Sequence, residues 1–426
     1  MDVFTNKGLE EGKKELEGNN LEDALIKYVC NEYVDEELVQ YFKTGFTGTA
    51  VQSISEMCSI ALEGLSLDDL YVEDILADVL EKRGIKARVV PRFLYTPLTN
   101  IKNASSIQRL NEAPDLGQRT NAWYLMRHNL LTATAIAHLF TTVAKCNEVI
   151  FEKCQPLNTT PYSISTLDAR HWGVRYEPVS RTIYEHMYKT KVKEYSCIQH
   201  PVYPFIGASP DGINILERNK KQYGRLIEIK NVVSREITGD PLDDYWIQMQ
   251  IQMEVCDLDV CDFVETRIKE FATEELFYAE RDKHDYCGIV LHFVGLLDPM
   301  VNHYEYAPLH SGHFFHRSEV DAYLKRYTHK FRHRYKAQNV LYWYLEEISC
   351  VVVERNRPWF QAALPRIESV WNTIVEERST GAWTLRAPSK RRRQEDDVRS
   401  IVLSASTDIK TSGFQLLGRE MSMDMI

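Results

Sequence analysis

Phe205-Ile206-Gly207-Ala208-Ser209-Pro210-Asp211-Gly212, followed after a polar turn by Leu226-Ile227-Glu228-Ile229-Lys230, is the stretch that decides the fold. Ile213 to Leu216 and Arg225 to Val233 read as strands, and Asn219 to Gly224 is polar enough to turn, so a β-hairpin is predicted. Strand alternation sends Glu228 and Lys230 to one face and Ile227 and Ile229 to the other. Asp211 lies between Pro210 and Gly212, where a fixed φ and a permissive residue bend the chain. Two carboxylates brought together repel, and a hard divalent cation relieves that conflict, which makes Asp211 and Glu228 candidate Mg²⁺ ligands. Lys230 is then placed to orient or deprotonate a water and to offset charge on a phosphate.

Glu-x-Lys alone carries little weight, since it recurs at Glu11-Gly12-Lys13. By itself Asp211 reads equally as a turn residue, and Glu228 with Lys230 as an ion pair. The surroundings add to it. Upstream, His171-Trp172-Gly173-Val174-Arg175-Tyr176-Glu177 leads into a helical run through Tyr188, so Glu177 is a further candidate metal ligand. Downstream, Asp240-Pro241 has the pattern of a helix cap and first residue. On that helix Gln248 and Gln252 share a face, with Gln250 offset. Amides among Trp246, Ile247, Met249, Ile251 and Met253 need polar partners, which a water or a phosphate supplies. Further upstream, Arg119 and Arg127 precede Leu131-Thr132-Ala133-Thr134, where a cation and two hydroxyls meet the start of a helix, a natural phosphate pocket.

With these segments in order, the chain resembles the lambda exonuclease and YqaJ-like viral recombinase family of PD-(D/E)XK nucleases, including homologues from phages and large DNA viruses. R-T-x-x-W-x-x-x-R-x-x-x-x-T-A-T, W-G-x-x-Y-E, S-P-D-G, L-x-E-x-K and Y-x-x-Q-x-Q carry the resemblance, from about Arg119 to Val255. It implies an α/β (α+β) fold: a restriction-endonuclease-like core, a mixed central sheet flanked by helices. It also implies a 5′-to-3′ exonuclease on duplex DNA ends. Asp211, Glu228 and the carbonyl of Ile229 would hold Mg²⁺ or Mn²⁺, assisted by Glu177. Lys230 and Gln248 would handle water, and Arg127 with Thr132 or Thr134 would bind the terminal 5′-phosphate, with Arg119, Gln250 and Gln252 as neighbouring DNA-binding candidates. Family members make single-stranded overhangs for recombination, usually beside a single-strand annealing protein, and homo-oligomers are compatible with that role. No four-cysteine pattern is present, so no iron–sulfur cluster is expected. A structure-specific endonuclease, an RNA-degrading nuclease and an inactive DNA-binding scaffold on the same fold remain alternatives, although a scaffold has no chemical need for the intact Asp211, Glu228 and Lys230.

The whole chain of 426 residues has a net charge of -10, unpromising for a partner of DNA until it is divided. Residues 1–81 hold 19 acidic and 5 basic residues; the remainder holds 46 basic and 42 acidic, a net of +4. Residues 1–92 are therefore expected to form an acidic helical accessory region, packed on the main body or offered to a partner. Its clearest helix runs from Ser66 to Gly84, with Ser66 and Asp69 in capping-box-like spacing and Leu67, Leu70, Ile75, Val79 and Leu80 on its apolar face. Residues 93–117 read as a connecting segment, 118–379 as the nuclease domain with an insertion at about 266–340, and 380–426 as a basic tail.

In the insertion, Tyr323, Tyr327, Phe331 and Tyr335 recur every four residues, and Lys325, Arg326, Lys330, Arg332 and Arg334 lie between them. The aromatic stripe reads as core packing and the cations as a possible track for a DNA backbone. His310, His313 and His316, and separately His329 and His333, have metal-like spacing without acidic or cysteine partners, so zinc is not expected. Nine scattered cysteines without C-x-x-C, no signal-peptide pattern and no apolar run of spanning length predict a reduced intracellular protein that does not enter a membrane. Lys390-Arg391-Arg392-Arg393 fits a nuclear-import signal, which for a viral protein allows the host nucleus as well as the cytoplasm.

Overall fold

The computed structural model describes residues 21–61, 67–95, 102–118, 120–157, 169–309 and 316–387. Their strands are β1 (Val90–Pro91), β2 (Leu131–Thr132), β3 (Val192–Lys193), β4 (Ile198–Gln199), β5 (Ile206–Ala208), β6 (Gly212–Asn214), β7 (Leu226–Asn231), β8 (Val260–Glu270), β9 (Cys287–Gly295), β10 (Asn302–Tyr306) and β11 (Tyr335–Glu354). The predicted hairpin is β6 and β7, paired antiparallel at Gly212 with Ile227, with Gly224 at φ +82° closing the turn. The main sheet runs β10-β9-β11-β8-β7-β6-β3, with β1 added beside β11. Within it only β7 and β8 pair in parallel. A three-stranded sheet, β2-β5-β4, stands beside it. The expected mixed sheet flanked by helices is therefore present, with a helical region before it.

The helices are α1 (Leu21–Glu37), α2 (Phe46–Ala61), α3 (Asp69–Lys82), α4 (Lys102–Glu112), α5 (Asn121–His128), α6 (Ala133–Leu139), α7 (Val143–Cys154), α8 (Ala169–Tyr188), α9 (Asp243–Cys256), α10 (Glu274–Glu280), α11 (Arg317–Phe331) and α12 (Arg357–Thr380). Parity assigns them to faces. Ile227, Ile229 and Val264 pack under Tyr184 of α8. Phe263, the neighbour of Val264 on β8 and the partner of Glu228 across the strand pair, joins the core around α9. On β8 the side of Phe263 is also the side of Lys269, which pairs with Tyr344, and Tyr344 packs in the cluster of Val320 on α11. Thus α9 and α11 lie on one face of the sheet and α8 on the other.

The acidic N-terminal helices do not stand apart. Ile26, Ile54 and Leu76 belong to the same buried cluster as Trp246 and Trp359. The Trp359 indole donates to the Val39 carbonyl at 3.2 Å, and the Tyr41 hydroxyl donates to the Lys86 carbonyl at 2.8 Å. A boundary at residue 92 would cut directly after β1, whose Val90 pairs with Val352. The supposed connecting segment holds α4, anchored by Ser106 donating to the Asp257 carbonyl. The stretch 266–340 supplies β9, β10 and parts of β8 and β11, so it widens the main sheet rather than forming a separate lobe.

Two helix starts differ from expectation. The α3 cap is Asp68, which accepts from the Leu70 amide at 3.0 Å, and Leu70 itself is 71% exposed while Val72 and Leu76 fill the core. Asp240 does not cap α9: it is held by Arg88 at 3.0 Å, and α9 starts after Leu242 with Asp243 and Asp244 in its first turn. The first is a local choice between neighbouring acids, whereas in the second Asp240 is drawn to a partner that local spacing does not reveal. The nine cysteines are free thiols, and no helix among the described residues is long and apolar enough to cross a membrane. The basic cluster at Lys390–Arg393 lies outside the described residues.

Behind the sheet, fully buried Asp262 binds Arg92 at 2.6 Å and Arg225 at 2.5 Å and accepts from the Tyr184 hydroxyl at 2.6 Å. Removing one partner of such a network strands the others in a low dielectric. Asp262→Ala is expected to cost about 3–5 kcal/mol of unfolding free energy in urea titrations; a loss below about 1 kcal/mol would show that the two arginines are solvated after all.

Candidate active site

Glu228 is 1% exposed, on a strand whose neighbours are apolar. Its two oxygens are met from inside. Lys230 Nζ lies 2.5 Å from Oε1, Gln248 Nε2 donates to Oε1 at 2.8 Å, and Gln252 Nε2 donates to Oε2 at 2.8 Å. Gln248 and Gln252 reach the same carboxylate because they are one helical turn apart on α9. Asp211, at the entry to β6, accepts from the Ile229 amide at 2.7 Å. These groups, with Glu177 of α8, Ile229, Tyr245 and Arg235, line one open cavity of about 600 Å³.

Burial pushes the Asp211 carboxyl well above the usual range, and the charges of Glu228 and then Glu177 push it further, against the pull of Lys230 and the Ile229 amide. Burial works in the opposite sense on Lys230, but Glu228 and Asp211 outweigh it and hold the ammonium above its usual range. The ammonium also lies 4.5 Å from the centre of the Tyr245 ring. This mutual repulsion of carboxylates is what a divalent cation relieves, so the donor set fits a hard metal ion. Among the described residues no three His, Cys, Asp or Glu side chains are gathered as a metal-binding group, so such an ion would draw on two carboxylates completed by backbone carbonyl and water oxygens.

A second group of charges lies beside the first. Arg127, in the last turn of α5, packs over the Trp123 ring at 4.5 Å and donates to Ser209 Oγ at 3.3 Å. Lys153 of α7 donates to the Arg127 carbonyl at 2.5 Å. Neither cation pairs with a carboxylate among the described residues. Burial pulls Arg127 down from its usual range, against the raising influence of Cys197. Burial and then the charge of Arg127 pull Lys153 down to about 8. Thr132 is buried at the end of β2, opposite Gly207 of β5, and caps α6 through the Ala135 amide. Thr134 is exposed one turn on.

The other candidates are scattered. Gln250 does not reach the cavity: its amide donates to the Glu354 carbonyl at 3.0 Å and accepts from the Asn356 amide at 2.7 Å, bracing the junction of β11 and α12. Gln252 is wholly buried behind Glu228, a positioning residue rather than a DNA contact. Lys325, Arg326 and Lys330 are exposed on α11, and Arg332 and Arg334 just beyond it; none lines the cavity. Tyr323, Tyr327 and Phe331 stack in sequence, with Phe331 against Phe293, so the stripe does pack. His316 caps α11. Arg119, His310 and His313 lie outside the described residues. Ser209 and Lys153 escaped the sequence reading; Ser209 sat in plain view two residues before Asp211, whereas nothing near Lys153 in the sequence marks it.

Residues 122–259 match the sequence model of the YqaJ-like viral recombinase domain. An uncharacterized protein of Acanthamoeba polyphaga mimivirus is 26% identical over 318 residues, which cover 67% of this chain and 57% of that protein; the chain thus spans little more than half the length of its relative. Among solved structures, an alkaline exonuclease (LHK-Exo) from Laribacter hongkongensis aligns with a TM-score of 0.36 at 20% identity, covering 61% of this chain and 95% of that one. The same enzyme in complex with dAMP aligns with a TM-score of 0.36 at 19% identity, covering 62% and 98%.

Because the folded Asp211 pKa is raised, the stability it lends is present below the unfolded value and is lost as pH rises through the folded one. In EDTA at pH 8, Asp211→Asn is therefore expected to melt higher than the native chain by at least about 2 °C, with the gap closing in acid. Mg²⁺ is expected to raise the melting temperature of the native chain and not of the variant. A native chain indifferent to Mg²⁺ would remove the metal from the site.

Proposed function

We propose that this chain, whose residues 122–259 form a YqaJ-like viral recombinase domain, hydrolyses DNA phosphodiesters with a divalent metal ion, as a 5′-to-3′ exonuclease acting on duplex ends. The observation that supports this most is the adjacency of two unlike sites: a cavity rich in carboxylates and a pair of cations with no ion-pair partner among the described residues, joined through Ser209-Pro210-Asp211.

Held by Asp211, Glu228 and the carbonyl of Ile229, with Glu177 nearby, Mg²⁺ or Mn²⁺ supplies Lewis acidity to a phosphate and acidity to a water. The chain's own residues do the rest. Lys230, kept protonated by Glu228, offsets charge on the phosphate oxygens and orients the water at its Nζ. Gln248 and Gln252 hold the Glu228 carboxylate in one orientation, so that its free lone pairs face the cavity.

Arg127 and Lys153, half-buried with no ion-pair partner among the described residues, favour a dianion over the single charge of an internal phosphodiester. A terminal phosphate is such a dianion. Ser209 adds a hydroxyl, and Thr132 lies beside the same strand. Two residues of extended chain, about 7 Å, separate Ser209 from Asp211. A 5′-phosphate seated at Arg127 therefore brings a phosphodiester near its own end to the cavity. Repeated cutting leaves a 3′ overhang, the material a single-strand annealing protein would take up in recombination.

Purified protein with Mg²⁺ is tested on 5′-phosphorylated linear duplex, 5′-hydroxyl duplex, circular DNA and RNA. Mononucleotides released first from phosphorylated ends are expected; nicked circles or degraded RNA would replace this reading with an endonuclease or a ribonuclease. Glu228→Ala is expected to lower kcat by about 10³-fold or more, and full activity would sink the assignment.

Arg127→Ala is expected to abolish the preference for phosphorylated ends, about tenfold or more. Lys153 is protonated below about 8 and neutral above it. The preference of the native chain should therefore fall as pH rises through that value, while in Lys153→Met it should be weaker and flat. Parallel profiles in the two proteins would separate Lys153 from the phosphate.

A further inference from the structure

At the opposite end of β7 from Lys230 lies another cavity, about 450 Å³, where the β6–β7 turn meets the loop after α3 and the start of α12. Five residue steps along the strand separate Arg225 from Lys230, about 17 Å of extended chain, so this cavity is no part of the one at Glu228. Its charge is lopsided. Lys86, Lys220 and Lys221 line it, and none of them pairs with a carboxylate among the described residues. Two acids are present, but Asp259 is taken up by Arg355 at 3.4 Å and Arg357 at 3.0 Å, which leaves Glu354 alone against the lysines. The 24-residue helix α12 begins at the same wall, adding the positive end of its dipole.

The walls also carry two aromatic rings, Tyr95 and Tyr223. Lys220 lies 5.9 Å from the centre of the Tyr223 ring, and the Arg225 guanidinium 4.9 Å from that of Tyr95. Arg225 also lines the cavity; it is 5% exposed, its Nη2 lies 2.5 Å from Asp262, and its Nε is buried with no hydrogen-bond acceptor among the described groups. The turn that presents the lysines is fixed. Asn103 donates to the Tyr223 carbonyl at 3.0 Å and packs where a Cβ on Gly224 would fall, at 2.4 Å. The site is thus preformed rather than assembled on binding.

Flat aromatic faces flanked by unpaired cations suit one chemistry, a planar base attached to a phosphate. We infer that this cavity binds a nucleoside phosphate, free or as a residue of a single nucleic-acid strand, at a place remote from the catalytic carboxylates. The site does not depend on the nuclease reading, since it binds a strand whether or not the other cavity cuts one.

The test uses the full chain in EDTA, so that nothing is cleaved. A single-stranded oligodeoxynucleotide carrying 5-iododeoxyuridine is irradiated with the protein, and cross-linked peptides are mapped by mass spectrometry. Cross-links to Tyr95 or Tyr223 are expected. They should compete away with excess deoxynucleoside monophosphate if the cavity takes free nucleotides, or with unlabelled oligonucleotide alone if it needs a strand. In parallel, fluorescence anisotropy of the oligonucleotide is compared among the native chain, the double variant Lys220→Glu with Lys221→Glu, and Tyr223→Ala. Each change is expected to weaken binding about fivefold or more, with cleavage of short duplexes unaffected and, in the lysine double variant, the melting temperature unchanged. Cross-links confined to other surfaces, or unchanged affinity in both variants, would overturn the proposal.

Discussion

A carboxylate on a buried strand must be satisfied from within the protein, and Glu228 imposes that demand on everything around it. Lys230 answers from its own strand, but the other donors come from α9, so the helix has to cross β7 with Gln248 and Gln252 facing down. That crossing is also what joins β7 to β8 as adjacent parallel strands, the one parallel step in the main sheet. The opposite side of α9 has its own duty. Gln250 closes on Glu354 and Asn356, and Arg355 binds Glu254, which ties the end of β11 and the start of α12 to the helix that supports the site. Alternating amides on one helix therefore hold the Glu228 carboxylate on one side and brace the junction of β11 and α12 on the other.

The two charged pockets are opposite in design. Around Asp211 there are more carboxylates than cations, and burial makes Asp211 itself more reluctant to ionise. Around Arg127 the cations meet a hydroxyl, an aromatic ring, the Cys197 thiol and a backbone carbonyl, and burial makes each more reluctant to stay charged. A group that is unfavourable alone in each pocket becomes favourable when the missing opposite charge arrives. A metal ion and a terminal phosphate are the charges that would complete them.

How much of this was legible follows from the range of each interaction. Asp211, Glu228 and Lys230 could be read because a period of two and a Pro-Asp-Gly bend act over a few residues, and the hairpin was visible for the same reason. The shared face of Gln248 and Gln252 followed from helical spacing. What failed was long-range. Asp240 looks like a helix cap until Arg88, remote in the sequence, claims it. Gln250 looks like a third site amide until its partner Asn356 is known. Lys153 is an unremarkable helical lysine until α7 is laid against Arg127. The stretch after Thr266 looked like an insertion because β9 pairs not only with its neighbour β10 but also with β11, and that second pairing, to residues far along the chain, leaves no local sign.

That widening of the sheet has a consequence for charge. Even spacing along β8, carried across the pair of Lys269 and Tyr344, puts α11 on the same face as α9 and the Glu228 side chain. Lys325, Arg326 and Lys330 are thus exposed on the catalytic face, whereas Lys220 and Lys221 stand at the strand ends, around a corner from it. A rigid duplex lying along the face would meet the first set and not the second. A single strand bends easily enough to turn that corner, and tyrosines waiting there suit unstacked bases, which a duplex does not offer. Under the proposed function, duplex and single strand would meet different basic surfaces of the same sheet.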